Sequence, residues 1–323
     1  MRLIKNNIMS ILPHMTSNHH NEITLSGFRS VRAVMRGGLG NQMFQYAAAR
    51  ALATDCSSEL SIDITTGFKR DRVYRRNYLL DSIGVSESTL SAAARIPLTL
   101  RSIEKKFHLW PEKSLVKRSY GCFLEETSDL TPAQLQLMKL PHSFFMDGYW
   151  QNEAYFSVHA TAIAKTFLSG LDKIKPDFFP KPDDIAIGLR LYEEVSESDS
   201  KFHRGRDATL QTLRNHISDI RLKRSDQRFY IFSTMSSADL ISLDFPDNCV
   251  YITPDHGYID PVSSLRLLSH FKYHLITPST YYWWGAWLSQ KRHPKSGSIG
   301  IAGDFGRLKI PYDWNKISNL KND

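Results

Sequence analysis

Val31-Arg32-Ala33-Val34-Met35-Arg36-Gly37-Gly38-Leu39-Gly40-Asn41-Gln42-Met43-Phe44-Gln45-Tyr46-Ala47 is the stretch on which the reading of this sequence turns. Val31 to Met35 is an apolar run of strand length, and Gly37 to Asn41 is a loop in which three of five residues lack a Cβ. Phe44, Ala47, Ala48, Ala51 and Leu52 then recur at helical spacing, with Asn41 placed to cap them. Strand, glycine loop, helix is the order. The helix start would aim its unbonded amides at the loop, and the missing side chains let a phosphate or a sugar come close.

Working outward, residues 1–28 form a polar leader with no period of 2 or 3.6 and are expected to be disordered. A second strand is expected at Leu60 to Ile64 and another at Phe144 to Met146, running into Asp147-Gly148-Tyr149-Trp150. A helix around Glu153 to Leu168 would close a first domain over 29–170. Residues 171–184 carry Pro176, Pro180 and Pro182 and read as a linker, because proline cannot continue a helix.

The remainder, 185–323, alternates more cleanly. Strands are expected at Ile185 to Arg190, Phe229 to Phe232, Val250 to Ile252 and Leu275 to Thr277, and helices at Ala208 to Ile220, Val262 to Phe271 and Tyr282 to Leu288. Such alternation predicts an α/β fold with a parallel sheet covered on both faces, whose binding crevice lies beyond the carboxyl ends of the strands.

A length of 323 residues suits two domains, and 41% hydrophobic with 23% charged residues excludes a disordered chain. The net charge of +8 draws phosphates, anionic lipids or nucleic acid without choosing among them. Much of it lies in Lys69, Arg70, Arg72, Arg75 and Arg76 and in Arg101, Lys105, Lys106, Lys113, Lys117 and Arg118, read first as a solvated face. Cys56, Cys122 and Cys249 have no paired spacing, so neither a zinc site nor a disulfide framework is indicated. No apolar run approaches the ~18 residues that span a bilayer, which points to a cytoplasmic protein with at most peripheral contact to an anionic membrane.

The glycine loop is neither a Gly-x-Gly-x-x-Gly dinucleotide fingerprint nor a P-loop. Gly37 to Ala47 instead resembles, residue for residue, the opening motif of the alpha-1,2-fucosyltransferases, glycosyltransferase family 11. Asp147-Gly148-Tyr149-Trp150-Gln151 resembles the segment that ends that family's first domain. Ser279-Thr280-Tyr281-Tyr282-Trp283-Trp284-Gly285-Ala286-Trp287-Leu288 is similar to its Ser-x-Phe-Ser-Trp-Trp-Gly-Ala-Trp-Leu motif. The resemblance spans residues 31 to 290.

It implies a GT-B architecture of two Rossmann-like domains, inverting transfer of fucose from GDP-fucose to a galactose 2-hydroxyl, and no metal or other cofactor. The partners implied are a nucleotide sugar and a glycan acceptor, with no nucleic acid. The sequence itself contains no Asp-x-Asp triplet to bridge a metal to a diphosphate.

Arg190 falls on the first arginine of the family's His-x-Arg-Arg-Gly-Asp motif and is the expected diphosphate ligand. Ser279 and Thr280 begin a helix and would offer hydroxyls and amides to the other phosphate oxygens. Gly38, Gly40, Asn41, Gln42, Ser233 and Tyr281 complete the expected donor side; Asp147, Tyr149 and Gln151 are assigned to the acceptor side. Trp283, Trp284 and Trp287 recur at helical spacing and are counted as core.

The departures are equally specific. His-x-Arg-Arg-Gly-Asp is represented by Gly188-Leu189-Arg190-Leu191-Tyr192-Glu193, the usual Ser-Asp-Asp by Ser233-Thr234-Met235, and the Asn before Ser279 by Pro278. Glu193 and Glu194 become the candidates for general base. The altered positions leave open another nucleotide sugar as donor, or a non-catalytic glycan- or nucleotide-binding relic.

Overall fold

Short strands that are apolar on both faces are stable only in a sheet covered on both sides. Ile185-Ala186-Ile187-Gly188 and Phe229-Tyr230-Ile231-Phe232 are buried at every position, as that requires. The computed structural model describes residues 30–71, 74–90, 122–125, 144–192, 205–246, 248–294 and 297–316.

Its first half contains β1 (Val31–Val34), α1 (Leu39–Asp55), β2 (Leu60–Asp63), β3 (Ser88–Thr89), β4 (Cys122–Glu125), β5 (Phe144–Asp147) and α2 (Ala160–Leu171). The second half contains β6 (Ile185–Gly188), α3 (Arg206–Lys223), β7 (Phe229–Phe232), α4 (Ser237–Ile241), β8 (Cys249–Ile252), α5 (Pro261–Leu268), β9 (Tyr273–Ile276), α6 (Thr280–Arg292), β10 (Ser298–Ile301) and β11 (Asn315–Lys316).

The strands form two sheets, β3-β2-β1-β5-β4 and β11-β10-β9-β6-β7-β8, and every pairing in both is parallel. This is the two-domain Rossmann-like α/β fold of the GT-B type. In the first sheet β1 lies between β2 and β5, so the loops leaving β1 and β5 emerge side by side.

The two halves meet through α1 and α6. Phe44 of α1 lies 4.6 Å from the Trp283 ring and 4.9 Å from that of Trp284, and Phe156 stacks on Trp284 at 5.5 Å. All three indole N–H groups find acceptors: Trp283 the Lys309 carbonyl at 3.0 Å, Trp284 the Gly40 carbonyl at 3.0 Å, Trp287 the Glu153 carboxylate at 2.8 Å. The tryptophans are core, and the core they build is shared by both sheets.

Several elements differ from expectation. α1 begins at Leu39, so Asn41 lies inside its first turn and Gly38 takes the cap position in extended conformation, with no side-chain cap. The helix expected from Glu153 begins at Ala160, preceded by two short 3-10 turns at Glu153–Tyr155 and Ser157–His159. β3, β4, α4, β10 and β11 were not expected. The leader 1–28 and the basic stretch from Arg101 to Arg118 lie outside the described residues. No helix among the described residues is long and apolar enough to cross a membrane.

Candidate active site

α1 follows β1 and α6 follows β9, so both helices begin at the carboxyl ends of their sheets. Their starts converge: a Cβ on Gly40 would lie 2.5 Å from the Tyr281 amide nitrogen and 2.6 Å from the Thr280 carbonyl carbon. Each helix leaves first-turn amides without an intrahelical acceptor, and each carries the positive end of its dipole to this point. Beside the junction lies a cavity of about 850 Å3, within the range of small-ligand sites.

Arg190 projects into the cavity from the second half. Its position is set by Thr277, whose hydroxyl donates to the Gly188 carbonyl at 3.0 Å and accepts from the Arg190 amide at 2.7 Å. The guanidinium donates to Thr234 Oγ1 at 2.7 Å and lies 4.8 Å over the Tyr192 ring. Burial pushes the Tyr192 phenol pKa up, opposed by Arg190. The candidates for general base, Glu193 and Glu194, lie outside the described residues.

Ser279 is the N-cap of α6, its hydroxyl accepting from the Tyr281 amide at 3.2 Å. It also lines the cavity with Thr280, so a capping role and a place at the site coincide. Tyr281 lines the cavity too, while its hydroxyl is engaged by the Pro261 carbonyl at 2.6 Å and its pKa is pushed well above 10 by burial. Ser233 reaches the cavity and accepts from the Met235 amide at 3.2 Å.

Opposite stand Asp147, at the end of β5, and Tyr149 and Gln151 on the loop that leaves it. Asp147 is ion-paired with Arg36, two residues beyond β1, and that guanidinium lies 5.1 Å over the Tyr149 ring. Gln151 donates to Asn41 Oδ1 at 2.9 Å, which ties this loop to α1. Trp150 holds a positive φ of 55°, a conformation non-glycine residues seldom adopt, and is buried while Tyr149 beside it is 39% exposed.

Two expected donor residues have other work. Gln42 does not line the cavity: it is fully buried, donating to the Gly37 and Asn77 carbonyls at 2.9 and 2.8 Å and accepting from the Leu79 amide at 2.9 Å. It fixes the glycine loop to the following segment. Gly40 lines the cavity, but its missing Cβ serves the close approach of α6 rather than of a ligand. Gly38 lies open to the cavity beside the Arg76 guanidinium.

Among the lining residues given no role from the sequence are Arg36, Arg76, Tyr192 and Thr234. Arg36 directly follows the expected strand Val31 to Met35, so the rule that site residues sit just after strands could have found it. Arg76 was counted with the basic surface.

The exchange at position 188 has a physical partner. A Cβ on Gly188 would stand 2.4 Å from Cγ of Tyr282, whose ring fills that space and whose hydroxyl donates to the Phe232 carbonyl at 2.8 Å. Position 282 is Ser in the fucosyltransferase motif, where position 188 is His. Relative to that motif, the large side chain stands at 282 instead of 188, in the same volume.

Among the described residues no group of His, Cys, Asp or Glu is arranged to hold a metal ion.

No protein-family model matches the chain. An alpha-1,2-colitosyltransferase from Escherichia coli is 26% identical over 266 residues, covering 80% of this chain and 87% of that protein. Of solved structures, a mutant of Arabidopsis thaliana FUT1 in complex with GDP covers 96% of this chain and 76% of its own at 12% identity, with a TM-score of 0.46. Fucosyltransferase NodZ from Bradyrhizobium covers 80% and 91% at 13% identity, with a TM-score of 0.42. At these scores the fold assignment stands on the chain's own sheet topology. By this relative the chain is a glycosyltransferase, and its motifs resemble those of the alpha-1,2-fucosyltransferases.

Proposed function

We propose that the protein transfers L-fucose, or a closely related deoxy sugar, from its GDP-activated form to the 2-hydroxyl of a galactose-containing glycan, with inversion and without a metal. The observation that carries this reading is the meeting of two helix starts, one from each half, with Arg190 at a single cavity. That pole is positive through Arg190 and the helix starts, with no metal ion required, which suits a diphosphate. Its two described acids are already engaged: Asp147 by Arg36, and Asp71 by the amides of Tyr74 and Arg76.

The acceptor oxygen attacks the anomeric carbon from the face opposite the diphosphate. The bond from that carbon to the β-phosphate oxygen breaks, GDP leaves with the electron pair, and the hydroxyl proton passes to a carboxylate. Arg190 and the α6 start stabilise the charge that grows on the departing phosphate. Asp147 and Tyr149 line the wall from which the acceptor would come; Glu193 and Glu194, after β6, are the sequence's candidates for the proton.

A second donor is favoured by two observations. The relative is a colitosyltransferase, and colitose is the 3-deoxy counterpart of fucose. The Gly188 and Tyr282 exchange also sets an aromatic ring in place of an imidazole. Incubation with a galactoside and either GDP-fucose or GDP-colitose, reading free GDP and product mass, tests both. Release of GDP with neither donor, under conditions where GDP itself binds, would refute transfer and leave a binding protein.

A further inference from the structure

We infer that Arg76 supplies the second guanidinium of the diphosphate site, from the wall opposite Arg190, in place of the arginine that this chain lacks at position 191. The inference rests on the reading of the cleft as a GDP-sugar site. Where the fucosyltransferase motif has its second arginine, Leu191 is 3% exposed and packed in the core beneath the second sheet. It can neutralise nothing. A departing nucleoside diphosphate carries more charge than one guanidinium offsets, and each guanidinium engages phosphate oxygens as a planar fork.

Arg76 is built to answer that need. The two carboxylate oxygens of Asp71 accept the amides of Tyr74 at 2.8 Å and of Arg76 at 3.1 Å, which fixes the loop that carries both side chains. The Arg76 guanidinium lies 4.8 Å over the Tyr74 ring, and its Nη1 stands 3.5 Å from where a Cβ on Gly38 would be. It therefore stands at the cap of α1, whose first residues line the same cavity.

Arg190 is presented in the same manner, 4.8 Å over Tyr192. Tyr74 lies near enough to Tyr192 to oppose its ionisation, adding to the effect of burial, so the two arginine-tyrosine stacks share one stretch of the cleft. An exposed cation over an exposed ring is common on surfaces. One pinned beside a glycine helix cap, across from the arginine of the motif, is placed for an anion between them.

Titration calorimetry of the full chain with GDP and with GMP tests the inference in the wild type, Arg76→Ala, Arg76→Lys and Arg190→Ala. Arg76→Ala should weaken GDP roughly ten- to hundredfold while GMP changes by less than about twofold, as expected for losing a charge-assisted contact to the β-phosphate. Arg76→Lys should fall between, since lysine keeps the charge and loses the fork. Undiminished GDP affinity in Arg76→Ala, or an equal loss for GMP, overturns the inference. If the wild type binds neither nucleotide, the donor reading itself fails, which a loss confined to Arg76→Ala cannot mimic.

Discussion

Replacing Gly40 with alanine tests whether the glycine loop serves packing or ligand approach. The added Cβ would meet the Tyr281 nitrogen at 2.5 Å, the Thr280 carbonyl carbon at 2.6 Å and the Thr280 oxygen at 2.8 Å. All three are backbone atoms at the start of α6 and cannot turn aside, so α1 and α6 must separate by roughly an ångström to restore contact near 3.4 Å. Overpacking of this kind costs about 1–3 kcal/mol. The same separation stretches the Trp284 Nε1 to Gly40 carbonyl bond, buried at 3.0 Å, whose loss adds about 1–3 kcal/mol. Better helix propensity returns at most about 1 kcal/mol. The net is a destabilisation of roughly 3 kcal/mol, or a fall in Tm of about 6–12 °C at about 2–4 °C per kcal/mol. Scanning calorimetry reads the stability and nucleotide titration reads the site. Unchanged Tm with lost GDP affinity would refute the packing argument and restore Gly40 to phosphate approach.

Arg190→Ala should lower kcat at least about a hundredfold with the melting transition kept, and EDTA should leave wild-type turnover unchanged; near-normal transfer by the variant removes Arg190 from its role. Gly188→His alone should destabilise by about 1–3 kcal/mol against the Tyr282 ring, and Gly188→His with Tyr282→Ser should recover most of that; equal melting temperatures for single and double variants would deny that the two positions share a volume. Acid stability depends on His274, fully buried with its pKa lowered from 6.5 to about 4 by burial, and on His270, lowered to about 4 by burial and by Arg292 and Arg266. Between those pH values the unfolded chain binds protons that the folded imidazoles refuse, so stability falls as pH drops through the window and levels off below it. His274 accounts for a loss on the order of 3 kcal/mol, and urea midpoints that stay flat from pH 7 to 4.5 would contradict this.

The strands were legible where burial on both faces left nothing polar in the run, as at Phe229–Phe232, where expected and observed bounds coincide. β11 was not, because Asn315 and Lys316 are exposed and carry no pattern. The start of α1 escaped because Leu39 to Gln42 show no period before Phe44, and only the close approach of α6 reveals why Gly40 is small. Gln42 looked like a ligand for a related reason: its three bonds run to the backbone of Gly37, Asn77 and Leu79, and two of those partners are far away in sequence. Asp147 was found from its place after a strand. That it pairs with Arg36 depends on β1 and β5 being neighbours, which strand order alone cannot give from sequence.

The departures from the fucosyltransferase motifs are better explained by remodelling than by decay. A site freed from selection for catalysis accumulates substitutions without regard to one another, and an imidazole lost at position 188 would leave a hole worth several kcal/mol. Here the hole is filled by Tyr282, from another element of the same wall, and the incoming hydroxyl has its acceptor in the Phe232 carbonyl. Thr277 still locks Arg190 at the mouth of β6, and Ser279 still caps α6. Arg190 and Ser279 are thus still held in place, and Tyr282 lines the same cavity. A relic needs neither the compensation nor the retained arginine; an enzyme that performs the proposed transfer would keep both.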